Sequence, residues 1–386
     1  MRILVSGGGT AGHIYPALAV AHLISESPGD TVSFVGAPDS LEMRLASEAG
    51  LRFVSVRASG WDRARPLSFI KGVATAVGSL SRCLSLLRDE RIDAVCGFGG
   101  YVSLPLGIAA VLRRVPLVLH EQNAVAGVTN RVLARWARAV CLTYPGSSAS
   151  LPATARSVVT GNPVREAVLA ADRARGRAAY GIADDETLLL VFGGSRGARH
   201  LNTATVHLYE RLRNVAGIRV EQIAGPAEAA SVRSLLTDIA GAGLPAWWSV
   251  REYVDGMGDL IAASDLVVCR SGATTLAELS VLAKAMVLVP YPYATDDHQT
   301  RNADPFVEAG GALVVADGDL DGPGFAEAVL GLLGDPARRA EMARNTGTLG
   351  RPHAADSVLE AVRAAVAPRI EHDTDNDTST DAKGTS

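Results

Sequence analysis

The chain opens with Arg2-Ile3-Leu4-Val5, an apolar run that stops at Ser6-Gly7-Gly8-Gly9-Thr10-Ala11-Gly12, after which Ile14, Leu18, Ala21 and Ile24 recur at helical spacing. A short apolar run bounded by glycine predicts a strand, and the period beyond it predicts a helix. The same order returns at Leu188-Leu189-Leu190-Val191-Phe192, followed by Gly193-Gly194-Ser195-Arg196-Gly197-Ala198 and a helix from about Asn202. Between these points Thr31–Val35, Ala94–Cys96 and Leu117–Leu119 read as strands alternating with helical stretches. Val220–Ile223, Leu266–Cys269, Met286–Val289 and Ala312–Val315 continue the series. Continuous apolar strands separated by helices predict α/β architecture with parallel sheets covered by helices. The chain reads as two similar halves.

A length of 386 residues exceeds what one hydrophobic core serves, which agrees with two domains. Gly161-Asn162-Pro163 carries turn residues between the two series and marks the expected hinge. The expected division is 1–160 and 161–352, with a helix over 353–367 that comes too late for the strand repeat and is expected to pack back on the first domain. The segment 368–386 is polar and acidic, with little to bury, and is expected to be disordered. Glu371, Asp373, Asp375, Asp377 and Asp381 against Lys383 account for the whole formal net charge of −4, so the body is near neutral. That balance argues against a nucleic-acid partner. Cys83, Cys96, Cys141 and Cys269 are far apart and predict reduced, buried thiols. The opening apolar run is too short for a signal peptide, and no apolar run is long enough to span a bilayer, so any membrane contact is expected to be peripheral.

The chemistry-bearing positions cluster where strands end. Glycine turns between strand and helix let backbone N–H groups approach an anion at the positive end of a helix dipole, or serve only as tight turns. Three occur, after Val5, after Phe192 and at Gly97-Phe98-Gly99-Gly100-Tyr101, and together they point to a ligand cleft. Neither of the first two matches a P-loop or a dinucleotide fingerprint. His120-Glu121-Gln122-Asn123 directly follows a strand, as a polar site or a solvated loop. Arg270 through Glu278 opens a helix with hydroxyls in its first turn; Glu278 fits either a ribose diol or the helix N-terminus. Asp296-Asp297-His298-Gln299 follows another strand, as a site or a charged turn, and lacks the spaced cluster a metal shell needs.

Taken together, Gly8-Gly9-Thr10-Ala11-Gly12-His13, Gly97-Phe98-Gly99-Gly100-Tyr101-Val102-Ser103, His120-Glu121-Gln122-Asn123, Gly161-Asn162-Pro163-Val164-Arg165, Gly193-Gly194-Ser195 and Arg270 through Glu278 resemble the MurG family in order and across roughly residues 1 to 366. The resemblance implies the GT-B fold, two Rossmann-like domains facing across a cleft. It implies inverting transfer of N-acetylglucosamine from UDP-N-acetylglucosamine to the 4-hydroxyl of an undecaprenyl-diphosphate-linked N-acetylmuramyl-pentapeptide in peptidoglycan synthesis. No cofactor or metal is expected. By position, Ser195 would hold the diphosphate, Val254 the uracil through its backbone, Glu278 the ribose, and Ala273, Thr274, Thr275 and Leu276 would line the nucleotide. Arg165, Asn123, Gln299 and the turn Thr10, Ala11 and Gly12 fall on further donor positions, and Gly99, Gly100, Tyr101, His120 and Asn130 on acceptor positions. This chain departs from the family where Ala11 replaces a frequent glycine, Arg196 a common glutamine and His298 a frequent glutamine.

Such a displacement needs a base near the attacking hydroxyl and positive potential at the leaving diphosphate. His13 is the leading candidate base, with Glu121 or His120 as alternatives. A lipid-linked acceptor implies a peripheral protein at the cytoplasmic face of the cell membrane. Phe69, Ile70, Val73, Val77, Leu80, Leu84 and Leu87, with Arg63, Arg65, Lys71, Arg82 and Arg88 nearby, form either an amphipathic helix on the protein's own core or, at its fringe, an interfacial patch. A nucleotide-sugar epimerase or a non-catalytic UDP-sugar sensor are the alternative functions, separated from a transferase by acceptor-dependent release of UDP.

Overall fold

The computed structural model describes residues 1–57, 66–194, 198–241 and 243–367, with the backbone alone at 66–76 and 295. The first domain is a parallel sheet of β1 (Arg2–Ser6), β2 (Thr31–Gly36), β3 (Arg52–Ser55), β4 (Ala94–Gly97), β5 (Leu117–Glu121), β6 (Ala139–Leu142) and β7 (Ser157–Val159), in the order β3-β2-β1-β4-β5-β6-β7. The second holds β8 (Thr187–Phe192), β9 (Ile218–Ile223), β10 (Trp248–Arg251), β11 (Leu266–Cys269), β12 (Met286–Leu288) and β13 (Ala312–Val314), in the order β10-β9-β8-β11-β12-β13, also parallel. Central strands are apolar throughout because both faces are covered: Ile3, Leu4, Val5 and Leu188 through Val191 are all buried.

The pattern named none of β3, β6, β7 and β10. Three of these are edge strands with a solvated side, as in Ser157–Val159, whose residues are all exposed, so their apolar content is too thin to announce them. β6 is buried and apolar like β4 and β11 of the same length, and nothing in its local pattern explains why it was not named.

The last helix, Ala354–Val366, packs on the first domain. Val358, Leu359 and Val362 join Ile14, Val20, Val118 and Cys141 in one apolar cluster. The chain therefore crosses between domains twice, once near Gly161 and once just before this helix. The helix Pro66–Asp89 follows the amphipathic reading in its described side chains: Leu87 is buried, Leu80 and Leu84 pack on the core, and Val77, Arg82 and Arg88 are exposed. The side chains of Phe69, Ile70, Lys71 and Val73, residues Arg63 and Arg65, and the tail 368–386 lie outside the described residues. Among the described residues no helix is long and apolar enough to cross a membrane.

Candidate active site

Each sheet reverses its strand order at the middle, between β1 and β4 and between β8 and β11. Loops that leave neighbouring strands toward opposite faces diverge and open a crevice at the carboxyl ends. The glycine turns sit there for that reason. Gly99 and Gly100 have φ of +93° and +87°, and a Cβ on Gly100 would fall 2.5 Å from Gly8 O. Only glycine lets the β4 loop lie so close to the β1 loop.

That approach brings the Gly99 turn over His13. His13 Nδ1 lies 3.0 Å from Gly8 O and 3.3 Å from Thr10 Oγ1. A carbonyl only accepts, so in the neutral ring Nδ1 carries the proton and Nε2 keeps its lone pair. Nε2 faces the turn, 3.3 Å from where a Cβ on Gly99 would stand. Tyr101 is 63% exposed and borders a cavity of about 250 Å³ shared with Gly8, Gly9 and Glu42.

The second domain meets this loop directly. Thr274 Oγ1 donates to Gly12 O at 3.3 Å, which joins the domains at the cleft. The helix Ala273–Val281 begins at Gly272 without a side-chain cap and without an acidic residue in its first turn, so its leading amides remain open to an anion. Thr274 and Thr275 are partly exposed there, beside Ala273. Leu276 departs from the expectation that it lines the nucleotide: its side chain is buried in the core and its amide donates to Gly272 O.

One helical turn inside, Glu278 is buried and accepts from Arg165 Nε and Nη2, both at Oε1, at 3.1 and 2.8 Å. Burial raises the Glu278 pKa above the usual carboxylate range, against the opposing pull of Arg165. The Arg165 guanidinium also lies over the Tyr15 ring, 4.4 Å from its centroid. Val254 packs its side chain into the second core, and among the described residues its amide and carbonyl take no backbone partner, which leaves them to a ligand. Ser195 lies outside the described residues.

The His120–Asn123 segment differs most from expectation. His120 is buried, with Nε2 donating to Gly161 O at 2.9 Å and Nδ1 3.1 Å from Gln122 Nε2; burial lowers its pKa to about 4. Glu121 is buried and accepts from Asn123 N, Asn123 Nδ2, Gly127 N and Asn130 Nδ2, over 2.8 to 3.3 Å. Asn130 is itself buried, donating to His120 O and Glu121. All three hold the loop from within: the ring nitrogens of His120 and the carboxylate oxygens of Glu121 are taken up by these hydrogen bonds, and the side chains of His120 and Asn130 are buried. Asn123 alone of the segment's cleft candidates is partly exposed.

Two residues were missed. Asn302 is buried and spans the domains: Oδ1 accepts from Ala124 N at 2.8 Å, and Nδ2 donates to Asn123 Oδ1 and Ser271 O, both at 3.2 Å. Its signal was available, one turn past Gln299 on the helix His298–Glu308. Gln299 Oε1 accepts from Tyr291 N at 2.9 Å and its carbonyl from Ser271 Oγ at 2.8 Å. Tyr15 is the second; its role comes from Arg165, which is remote in sequence.

Residues 3–142 match the glycosyltransferase family 28 N-terminal domain and residues 188–358 the family's C-terminal domain. A relative from Desulforudis audaxviator, named UDP-N-acetylglucosamine–N-acetylmuramyl-(pentapeptide) pyrophosphoryl-undecaprenol N-acetylglucosamine transferase, is 40% identical over 94% of this chain and 98% of its own. A protein of that name from Desulfitobacterium hafniense is 38% identical over 93% and 98%. The crystal structure of Acinetobacter baumannii MurG superposes with a TM-score of 0.74, at 28% identity, over 94% of this chain and 99% of that one. With both domains matched in order and the GT-B architecture shared across the whole folded length, the chain belongs to the MurG family of glycosyltransferases.

Proposed function

We propose that this cleft transfers N-acetylglucosamine from UDP-N-acetylglucosamine to the 4-hydroxyl of the undecaprenyl-diphosphate-linked N-acetylmuramyl-pentapeptide, with inversion, as the step that completes the lipid-linked disaccharide of peptidoglycan. The observation that carries it is the Thr274-to-Gly12 hydrogen bond, which sets an open helix N-terminus against the first turn of the helix Ala11–Glu26, which bears His13. The charge that develops on the departing UDP meets the leading amides of the Ala273 helix, a route that asks for no metal ion or cofactor. Glu278 takes the ribose diol through the oxygen that Arg165 leaves free, and the backbone of Val254 takes the uracil. His13 Nε2 takes the proton of the attacking hydroxyl. The acceptor enters past Gly99, Gly100 and Tyr101, and Asn123, Gln299 and the Thr10–Gly12 turn border the sugar.

A lipid-linked acceptor brings the protein to the cytoplasmic face of the membrane as a peripheral protein; exposed Val77, Arg82 and Arg88 on one helix support the Pro66–Asp89 helix as the docking side. The test is UDP release from UDP-N-acetylglucosamine with and without a soluble short-chain analogue of the lipid-linked acceptor. Release only with acceptor, matched by disaccharide product, is expected. Acceptor-independent conversion of the sugar, or tight donor binding without turnover under any condition, would overturn it.

A further inference from the structure

Glu42 lies in the first turn of the helix Leu41–Glu48, after the Ser40 cap, where an acidic side chain left in water would already favour the helix N-terminus. It is instead turned inward and only 4% exposed, against the first glycine turn: a Cβ on Gly8 would stand 2.7 Å from Oε1 and 3.7 Å from Oε2. A carboxylate buried this far is normally met by a cation or by several donors. Among the described residues Glu42 receives one hydrogen bond, from Ala37 N to Oε1 at 3.3 Å, and Oε2 receives none. Oε2 is not one of the unpaired atoms sealed from solvent, so it opens on the cavity of about 250 Å³ that Glu42 lines.

Gly8, Gly9, Tyr101 and Val102 also line that cavity, and no Lys or Arg does. The amides of Gly8 and Gly9 have no backbone partner among the described residues. The helices Ala11–Glu26 and Leu41–Glu48 both begin beside the cavity and turn their positive ends toward it, which disfavours a cation as the group that meets Oε2. An uncharged group that donates to a carboxylate is a hydroxyl or an amide N–H. Gly8 ties this wall to His13, because its carbonyl accepts from His13 Nδ1. On the transferase reading above, on which this inference rests, the hydroxyl at His13 belongs to the acceptor's muramyl ring, so the other polar groups of that ring reach this wall. We propose that Glu42 binds the acceptor: Oε2 accepts a hydrogen bond from a hydroxyl or amide N–H of the muramyl ring and so holds the ring with its 4-hydroxyl at His13. The contact is to a group that does not react, so it sets affinity for the acceptor and leaves affinity for the donor alone.

Glu42→Gln is the variant that reads this bond. With its Oε1 kept toward Ala37 N, the carboxamide puts an NH2 where Oε2 stood, so the free acceptor atom becomes a donor at unchanged volume. Binding of the soluble short-chain acceptor analogue to the full chain, measured by calorimetry without donor, should weaken about 10- to 100-fold, the range for a hydrogen bond to a charged group. The Kd for UDP-N-acetylglucosamine and the thermal midpoint should stay where they are. Equal acceptor binding in the two proteins would overturn the role, and a lowered midpoint with donor binding weakened alongside would make Glu42 a structural residue instead. Two further analogues identify the partner, one lacking the ring 6-hydroxyl and one with an acetoxy group in place of the 2-acetamido N–H. The analogue that lacks the partner should bind the native chain weakly and lose nothing more in Glu42→Gln. Full additivity with both analogues would overturn the assignment to the ring. A native chain that binds no acceptor analogue would overturn the transferase reading and this inference with it, whereas native binding unaffected by Glu42→Gln overturns the inference alone.

Discussion

His13 has one free ring nitrogen because Gly8 O holds the proton on the other, and that division is what suits it to accept a proton. His13→Ala should lower kcat by about 10²- to 10⁴-fold with donor KM little changed, the range for losing a general base. Near-normal turnover in steady-state assays would remove the role. His120 shows the opposite use of an imidazole. Burial holds its pKa down to about 4, while a solvated imidazole in the unfolded chain titrates near 6.5. Its contribution to stability is full above pH 6.5 and is lost as the pH falls toward 4, up to about 3 kcal/mol. Urea midpoints at pH 7 and pH 4.5 should therefore differ less in His120→Asn than in the native chain. An equal difference in both would assign the acid sensitivity elsewhere.

At the scale of elements, the site depends on two loops allowed to touch. Gly100→Ala adds a Cβ 2.5 Å from Gly8 O at a φ of +87°, so strain and collision combine. A loss of about 2–4 kcal/mol is expected, with kcat reduced because the Gly99 turn is pushed off His13. Gly9→Ala is the control: φ is also positive, at +82°, but the new atom meets nothing within 4 Å. Only the conformational term remains there, about 1–2 kcal/mol. Thermal melting of the two variants would separate close approach from backbone preference, and equal losses would show that the approach is unimportant.

For the whole molecule, the angle between domains is set by buried amides more than by charge. Arg131 and Asp296 pair across the cleft at 3.4 Å, but both are exposed, and such pairs contribute under about 1 kcal/mol. Asn302 instead occupies three polar groups from two domains and is fully buried. Asn302→Ala should cost about 2–4 kcal/mol and raise the donor KM, since Asn123 and Ser271 lose their common anchor. Arg131→Ala should do neither. Calorimetry and donor titration on the pair would test this, and the reverse ranking would place closure control in the ion pair.

The sequence by itself determined the two-fold repeat of strand, glycine turn and helix, because a central parallel strand is buried on both faces and must be written in apolar residues. It determined the glycine turns and the polar segments after the strands, since a turn's backbone chemistry is local, and their joint order identified the family. Tertiary structure alone decided which of those polar residues face the cleft. His120 and Glu121 read as site residues because they follow a strand, and Asn130 through the family resemblance, yet all three side chains turn inward to hold the loop, directed there by hydrogen bonds to Gly161, Gly127 and one another. Leu276 lost its place in the same way, to the core. Tyr15 and Asn302 gained theirs from partners far along the chain, Arg165 and Ser271. Local pattern fixes where a chain can turn and what it can bury; which way a polar side chain points is settled by the nearest unsatisfied group, and that group comes from elsewhere in the fold.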